Sequence, residues 1–294
     1  MVNYGKMSIS EVKWFAKQGD KDALYEMAYR YPDNEKSPGL VWAAFWFEKA
    51  AAKGHIYAKR RLAGFFQDMP TSRKFSQNRK KAMALYESIA KDYEAGKLIG
   101  DDQFVGMVSK IELGIMLCEG IGTERYYKKG LDLIKSGEED MNASGGLSFT
   151  HLLKLGELFG GGYAQADEEP WSEDYKKAIE YLEKSLTPEK SNEINREKVD
   201  YVHRLKDSYR KGLLHKEKME KDIEDSRKTV KTNVPPGLEQ LSEEMNRLHE
   251  QILQATSNKY AEERRAENEK PTEIGNKVED SICELWDRMA KEGW

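Results

Sequence analysis

The sequence predicts an all-α chain: about four to five antiparallel helix pairs stacked as an α-solenoid, followed by a C-terminal helical, coiled-coil-like region. Three observations carry that expectation. A large-small-x-x-large pattern recurs at Met27-Ala28-Tyr31, Leu62-Ala63-Phe66, Leu113-Gly114-Leu117 and Leu155-Gly156-Phe159. A small-x3-large-x2-small pattern follows each one, at Ala43-Phe47-Ala50, Ala82-Tyr86-Ile89 (large at the last place), Gly130-Ile134-Gly137 and Ala178-Leu182-Ser185. Near the end, Leu238, Leu241, Met245, Leu248, Ile252 and Ala255 alternate steps of three and four, the seam of a coiled coil.

Each pattern has a physical reason. Helices with axes ~8–10 Å apart cannot both place a bulky side chain at the crossing, so one supplies a small residue. A pair alone leaves an apolar face open, and the next pair closes it. In chain order, Ile9 to Lys17 reads as a short amphipathic helix capping the open end of the stack, with Ser10 as the expected N-cap. Next comes the stretch from Ala43 to Phe66, the second helix of one pair, a Gly54-His55 turn, and the first helix of the next. The segment AKDYEAGKLIGDDQF departs from the pattern and lengthens the link to the third pair. Leu205 and Tyr209 mark a degenerate fifth copy in which Lys206 replaces the small residue.

The phrase FEKAAAKGHIYAKRRLAGFF resembles a Sel1-like repeat, a relative of the tetratricopeptide repeat. The distance from the large residue of the first helix to the small one of the second is 16, 20, 17 and 23 positions in the four pairs. The extra residues carry glycine in EGIGTERYYKKG and FGGGYAQADEEPW, as in the longer, glycine-marked loop of the Sel1-like variant. The resemblance covers about Asp20 to Leu186. It implies a right-handed solenoid and a structural role for His55 after the turn glycine.

Beyond Leu186 the polar stretch TPEKSNEIN marks a boundary. Arg196 to Lys231 reads as one or two helices, apolar at Val199, Val202, Leu205, Tyr209 and Leu213, and Pro235-Pro236 stops them. Glu273 to Lys291 forms a last amphipathic helix with Val278, Ile282, Leu285, Trp286 and Met289 on one stripe. The expected domains are a solenoid over 1–190, a helical hairpin or short coiled coil over 191–270, and a C-terminal helix over 271–294.

Composition narrows the class. The chain has 294 residues, 34% charged, with a net charge of −4. Its two cysteines, Cys118 and Cys283, provide no disulfide framework, and the first residues contain no apolar core of a signal sequence. No window approaches the length of a membrane span. The expectation is a cytoplasmic protein. Catalytic signatures are missing: GIGT and GGGY lack the Gly-Lys-Ser/Thr of a phosphate loop, no GxSxG occurs, and the five histidines share no ligand spacing. Neither cofactor nor metal is expected, and Cys118 reads as a core thiol.

The functional expectation is a non-catalytic protein-protein interaction scaffold, an adaptor or regulatory subunit for a larger enzyme or effector complex. The family resemblance implies groove positions two before and two after the large first-helix residue. These are Tyr25, Tyr29, Arg60, Ile111, Ile115, Leu153 and Glu157, with His203 and Asp207 in the degenerate copy; burial of Ile111, Ile115 and Leu153 between repeats is the competing expectation. The C-terminal stripe of Ile282, Leu285, Trp286 and Met289 docks either on this chain or in a partner's groove. Charge offers an alternative. From Lys53 to Lys97 there are eleven basic residues against four acidic ones, including Lys59, Arg60, Arg61, Arg73, Lys74, Arg79, Lys80 and Lys81. Such a patch suits nucleic acid or another polyanion, although twelve basic against twenty-one acidic residues over 101–200 oppose the same ligand.

Overall fold

The structure, a computed structural model, describes residues 2–30, 38–68, 78–161, 171–187, 190 and 194–233. All regular structure among them is helical. After a 3-10 turn at Tyr4–Lys6 come α1 (Ile9–Lys17), α2 (Lys21–Arg30), α3 (Pro38–Ala52), α4 (Ile56–Asp68), α5 (Asn78–Glu94), α6 (Asp102–Glu119) and α7 (Tyr127–Asn142). Then follow α8 (Phe149–Gly160), α9 (Trp171–Ser185) and α10 (Arg196–Asn233). The described residues divide into two compact units, one up to Gly146 and one from Leu147 on. The division falls inside the solenoid expected over 1–190, and the α8–α9 pair groups with α10. Tyr31, Arg73, Lys74, the seam over 238–255, and Ile282, Leu285, Trp286 and Met289 lie outside the described residues.

In the first unit each helix from α1 to α7 packs on its chain neighbours, and α4 also touches α6. The second-helix residues run backwards past the first: Gly130 lies at Cys118 and Gly114, Ile134 at Gly114, and Gly137 at Ile111 and Met107. That register makes α6 and α7 antiparallel. The same reversal joins α4 to α5, where Lys81 meets Phe66, Tyr86 meets Gln67, and Lys59 meets Ser88. In the second unit α8 packs on α9 and α9 on α10. Tyr175 faces Tyr209 and Gly212, while Glu183 faces Arg210 and Lys206.

The residues that defined the pairs are the residues that make them. Met27, Ala28, Leu62, Ala63, Phe66, Leu113, Leu117, Leu155 and Phe159 are buried, as are Ala50, Ala82, Tyr86, Ile89, Ile134, Ala178, Leu182 and Ser185. The small residues sit at crossings with no room for more. A Cβ on Gly114 would lie 2.7 Å from the Gly130 carbonyl oxygen, and one on Gly156 2.7 Å from Leu182 Cδ2.

Two local expectations need correction, and a third is narrowed. The N-cap of α1 is Ser8: its hydroxyl accepts from the Glu11 N–H at 3.3 Å, and the Glu11 carboxylate accepts from the Ser8 N–H at 2.8 Å. Ser10 falls inside the first turn, and the reciprocal box with Glu11 is what a serine three residues earlier can close. Gly160, read as a loop glycine, is the last residue of α8 and lies beneath the Tyr209 ring, so its task is close approach of α10. Arg196 to Asn233 is one helix, of which Val202 is fully buried while Leu205, Tyr209 and Leu213 are half-buried. Its first part stacks on α9 as expected.

Candidate interaction surface

Local capping positions the surface. Asp20 Oδ1 accepts from the N–H groups of Asp22 and Ala23, both at 2.9 Å, which starts α2. Gly54, at φ 82°, ends the turn after α3. His55 then begins α4, its Nδ1 accepting from the Ala58 N–H at 3.2 Å. An accepting Nδ1 leaves the proton on Nε2, which faces Asp22 Oδ1 at 3.6 Å. The imidazole is therefore a structural piece: it caps α4 and stacks on Tyr25 of α2.

Tyr25 is the centre of the cluster. Its ring stacks on His55 with centroids 4.3 Å apart and planes 14° from parallel. Phe47 lies at 5.7 Å, Tyr29 at 5.9 Å and Tyr57 at 6.5 Å. Burial pushes the Tyr25 phenol above its ordinary range, partly opposed by the Arg61 guanidinium. Tyr29 is 60% exposed, and Arg61 covers its ring at 5.7 Å. Tyr57 donates to the Asp101 carbonyl at 3.1 Å, tying α4 to the start of α6. The result is an aromatic floor with guanidinium groups along one edge and Asp22 and Asp101 nearby. Stacked, pre-ordered aromatics lose little entropy when a partner covers them, and arginine adds a charged, planar donor.

The structure brings together Tyr25, Tyr29 and Arg60 from the expected groove set. It adds His55, Tyr57 and Arg61, which a rule of two positions either side of Leu62 passes over. Tyr57 and Arg61 lie four apart on α4, and that spacing was the available signal. Ile111 and Ile115 are 0% and 3% exposed, buried within this chain. Leu153 is half-buried on α8. Glu157 accepts from the Tyr201 hydroxyl at 2.8 Å, and Asp207 lies 4.0 Å from Arg210 on the same helix. His203 is exposed on α10. These last four belong to the second unit.

Among the described residues the basic side chains do not form one free track. Lys59 donates to the Ser88 hydroxyl at 3.1 Å, Lys81 lies over Phe66 at 5.5 Å, and Arg61 lies over Tyr29. Lys80 is exposed, and the Arg79 carbonyl lies against Gly122 of the α6–α7 loop. As for reactive groups, burial pushes the Cys118 thiol up to about 12, and its S–H donates to the Tyr127 carbonyl at 3.6 Å. A thiol so held is no nucleophile at neutral pH. Ser148 Oγ and His151 Nδ1 are 2.7 Å apart, a local contact between the N-cap residue and the first turn of α8. Among the described residues no three of His, Cys, Asp and Glu gather as metal ligands. No described helix is long and apolar enough to cross a membrane.

These features define an all-helical protein of successively packed pairs bearing an open aromatic and cationic face. No family model and no curated protein matches the chain. Among solved structures it is similar to c5321, a protective antigen of uropathogenic Escherichia coli displaying an SLR fold, at 15% identity and a TM-score of 0.28. The match covers 68% of this chain and 48% of that one, so this chain spans about half its length.

Proposed function

We propose that this chain is a non-catalytic scaffold, an adaptor or regulatory subunit, that holds another protein on the face built by α2 and α4. The observation that carries the reading is the Tyr25–His55 stack with the exposed Tyr29 under Arg61. An exposed aromatic pre-ordered by its neighbours is what an interface anchor needs. The chemistry fits a partner segment that offers apolar side chains to the rings and a carboxylate to Arg60 and Arg61. A larger enzyme or effector would be regulated by being held there.

The test is capture from native lysate by wild-type chain and by Tyr29→Ala with Arg60→Glu, at low and high salt and with nuclease. A protein retained through salt and nuclease, and lost from the variant at an unchanged melting temperature, is the expected result. A folded variant that still captures it removes the assignment. Nucleic acid that leaves at high salt would instead move the function to the basic residues between Lys53 and Lys97.

A further inference from the structure

The α2–α4 face does not end at its rings. Helices α2 and α4 run side by side in the same direction: Asp22 lies at His55, Tyr25 at His55 and Tyr57, and Tyr29 at Arg61. Charge changes along that direction. At one end Arg61 covers the exposed Tyr29, and Arg61 and Arg60 both act on the Tyr25 phenol. At the other end the Tyr57 hydroxyl donates to the Asp101 carbonyl, which brings the loop before α6 onto the face. Burial and then the carboxylates of Asp102 and Asp101 push the Tyr57 phenol up, with Arg60 opposing. Burial holds His55 down together with Lys21, against Asp22 and Asp102. Asp22, Asp101 and Asp102 thus stand against Lys21 at this end. The neighbouring charges have other contacts: Lys53 lies along Gly19, Lys97 pairs with Asp92 at 3.0 Å, Lys59 donates to Ser88, and Glu26 pairs with Arg30 at 2.8 Å. Beside the two aspartates in the chain, Ile99 is 76% exposed and Phe104 45% exposed.

We propose that this face takes a bipolar segment of a partner protein: an acidic side chain at Arg60 and Arg61, an apolar one over the Tyr25 and Tyr57 rings, and a lysine or arginine at Asp22, Asp101 and Asp102. The inference rests on the reading of α2 and α4 as the binding face and adds a carboxylate end to it. Charge complementarity selects the occupant. A uniformly acidic ligand, a nucleic acid included, is drawn to the arginines and repelled at the aspartates, and a uniformly basic one meets the reverse. A bipolar segment satisfies both ends, and in one orientation only, because turning it round sets like charges together. The dimensions set its length. Asp22 and Tyr29 are seven positions apart on α2, about 10 Å at ~1.5 Å per residue. An extended chain covers that distance in about three residues at ~3.3 Å each. The two charges of the partner therefore fall three or four positions apart, with the apolar side chain between them. Ile99 and Phe104 offer further apolar contact at the basic end of the segment.

The test titrates the full chain at low salt with three end-capped peptides, Lys-Gly-Trp-Gly-Glu, Glu-Gly-Trp-Gly-Glu and Lys-Gly-Trp-Gly-Lys. Binding is read from the NMR amide signals of α2, α4 and residues 97–104. The bipolar peptide should shift signals at both ends of the face and bind at least about fivefold tighter than either of the others, the factor that two exposed ion pairs supply. High salt should erase that preference. In Asp101→Asn with Asp102→Asn its advantage over the acidic peptide should shrink to about twofold or less, with one of the two ion pairs gone. The Asp101 side chain makes no capping hydrogen bond, so α6 keeps its start in this variant. Asp132→Asn with Glu139→Gln, both exposed on α7, removes the same charge elsewhere and should leave the advantage intact. Equal binding of the bipolar and acidic peptides to the wild type, or an advantage that shrinks alike in both double variants, overturns the bipolar segment while leaving α2 and α4 as the binding face. Unshifted signals with all three peptides overturn it too, and capture by the full chain then decides separately whether the face holds a partner. Should the Asp101 and Asp102 variant fail to fold, Asp22→Asn reads the same end.

Discussion

Gly114→Ala is the substitution that interrogates the helix pairing most directly. A Cβ at this place would lie 2.7 Å from the Gly130 carbonyl oxygen and 2.7 Å from Ile134 Cγ1, against 3.4 Å for the near edge of ordinary contact. The carbonyl belongs to the α7 backbone, so relief requires α7 to retreat by about 0.7 Å, and a gap of that size forfeits roughly a quarter to a half of each contact's attraction. Alanine brings about 1 kcal/mol of helix propensity in its favour. Overpacking costs about 1–3 kcal/mol and the retreat adds lost packing around Ile111, Ile134 and Cys118, so the net is a loss of about 1–3 kcal/mol. At about 2–4 °C per kcal/mol for a domain of this size, the melting temperature should fall by about 2–12 °C. Gly64 of α4 supplies the internal control. Among the described residues its Cβ would meet only the Tyr86 hydroxyl, at 3.6 Å, so Gly64→Ala gains the propensity without the clash and should raise the melting temperature by about 2–4 °C. Thermal unfolding followed by circular dichroism reads both. Shifts of the same sign would show that Gly114 is not at a tight crossing, and the pairing register would have to be redrawn.

Other expectations rest on single side chains. Burial holds the His55 imidazole below its ordinary value against the opposing pull of Asp22. With the folded value depressed, unfolding takes up a proton, so stability is complete above about pH 6.5 and declines as pH falls through and below it. Melting curves between pH 7.5 and 5 should show that decline, and His55→Asn, which can still cap α4, should flatten it; an unchanged slope would assign the effect elsewhere. Lys110, whose side chain is 6% exposed, pairs with Asp140 at 2.9 Å and donates to Ser136 at 2.7 Å. Asp140→Ala leaves that ammonium without its counter-charge and should cost about 2 kcal/mol or more in urea unfolding, whereas Lys110→Met should cost much less. Equal losses in the two variants would contradict the asymmetry.

How far the fold was legible follows from which forces act locally. The crossings are dictated by size, and size is written in the residue names: Gly114, Gly130 and Gly156 announced where two helices touch. The structural role of His55 after Gly54 was legible though its capping of α4 was not, and capping was misread where two serines compete, as with Ser8 and Ser10. The division at Gly146 was not legible, because it depends on which helix faces meet and not on a change in composition.

The candidate surface was half legible for a related reason. A positional frame named Tyr25, Tyr29 and Arg60 together with Ile111 and Ile115, for which burial between repeats was the competing expectation. Ile115 and Tyr29 occupy equivalent places in the repeat, but Ile115 is covered and Tyr29 is open. Equivalent position fixes the direction of a side chain relative to its own pair, while exposure depends on what the rest of the chain lays over it. A repeat protein can therefore keep one face available and close the next without changing its fold, by spending apolar residues on the helix to be covered and tyrosine and arginine on the helix to be left open. In this chain Val108 and Ile115 stand on the closed side of that contrast, and Tyr29 and Arg61 on the open one.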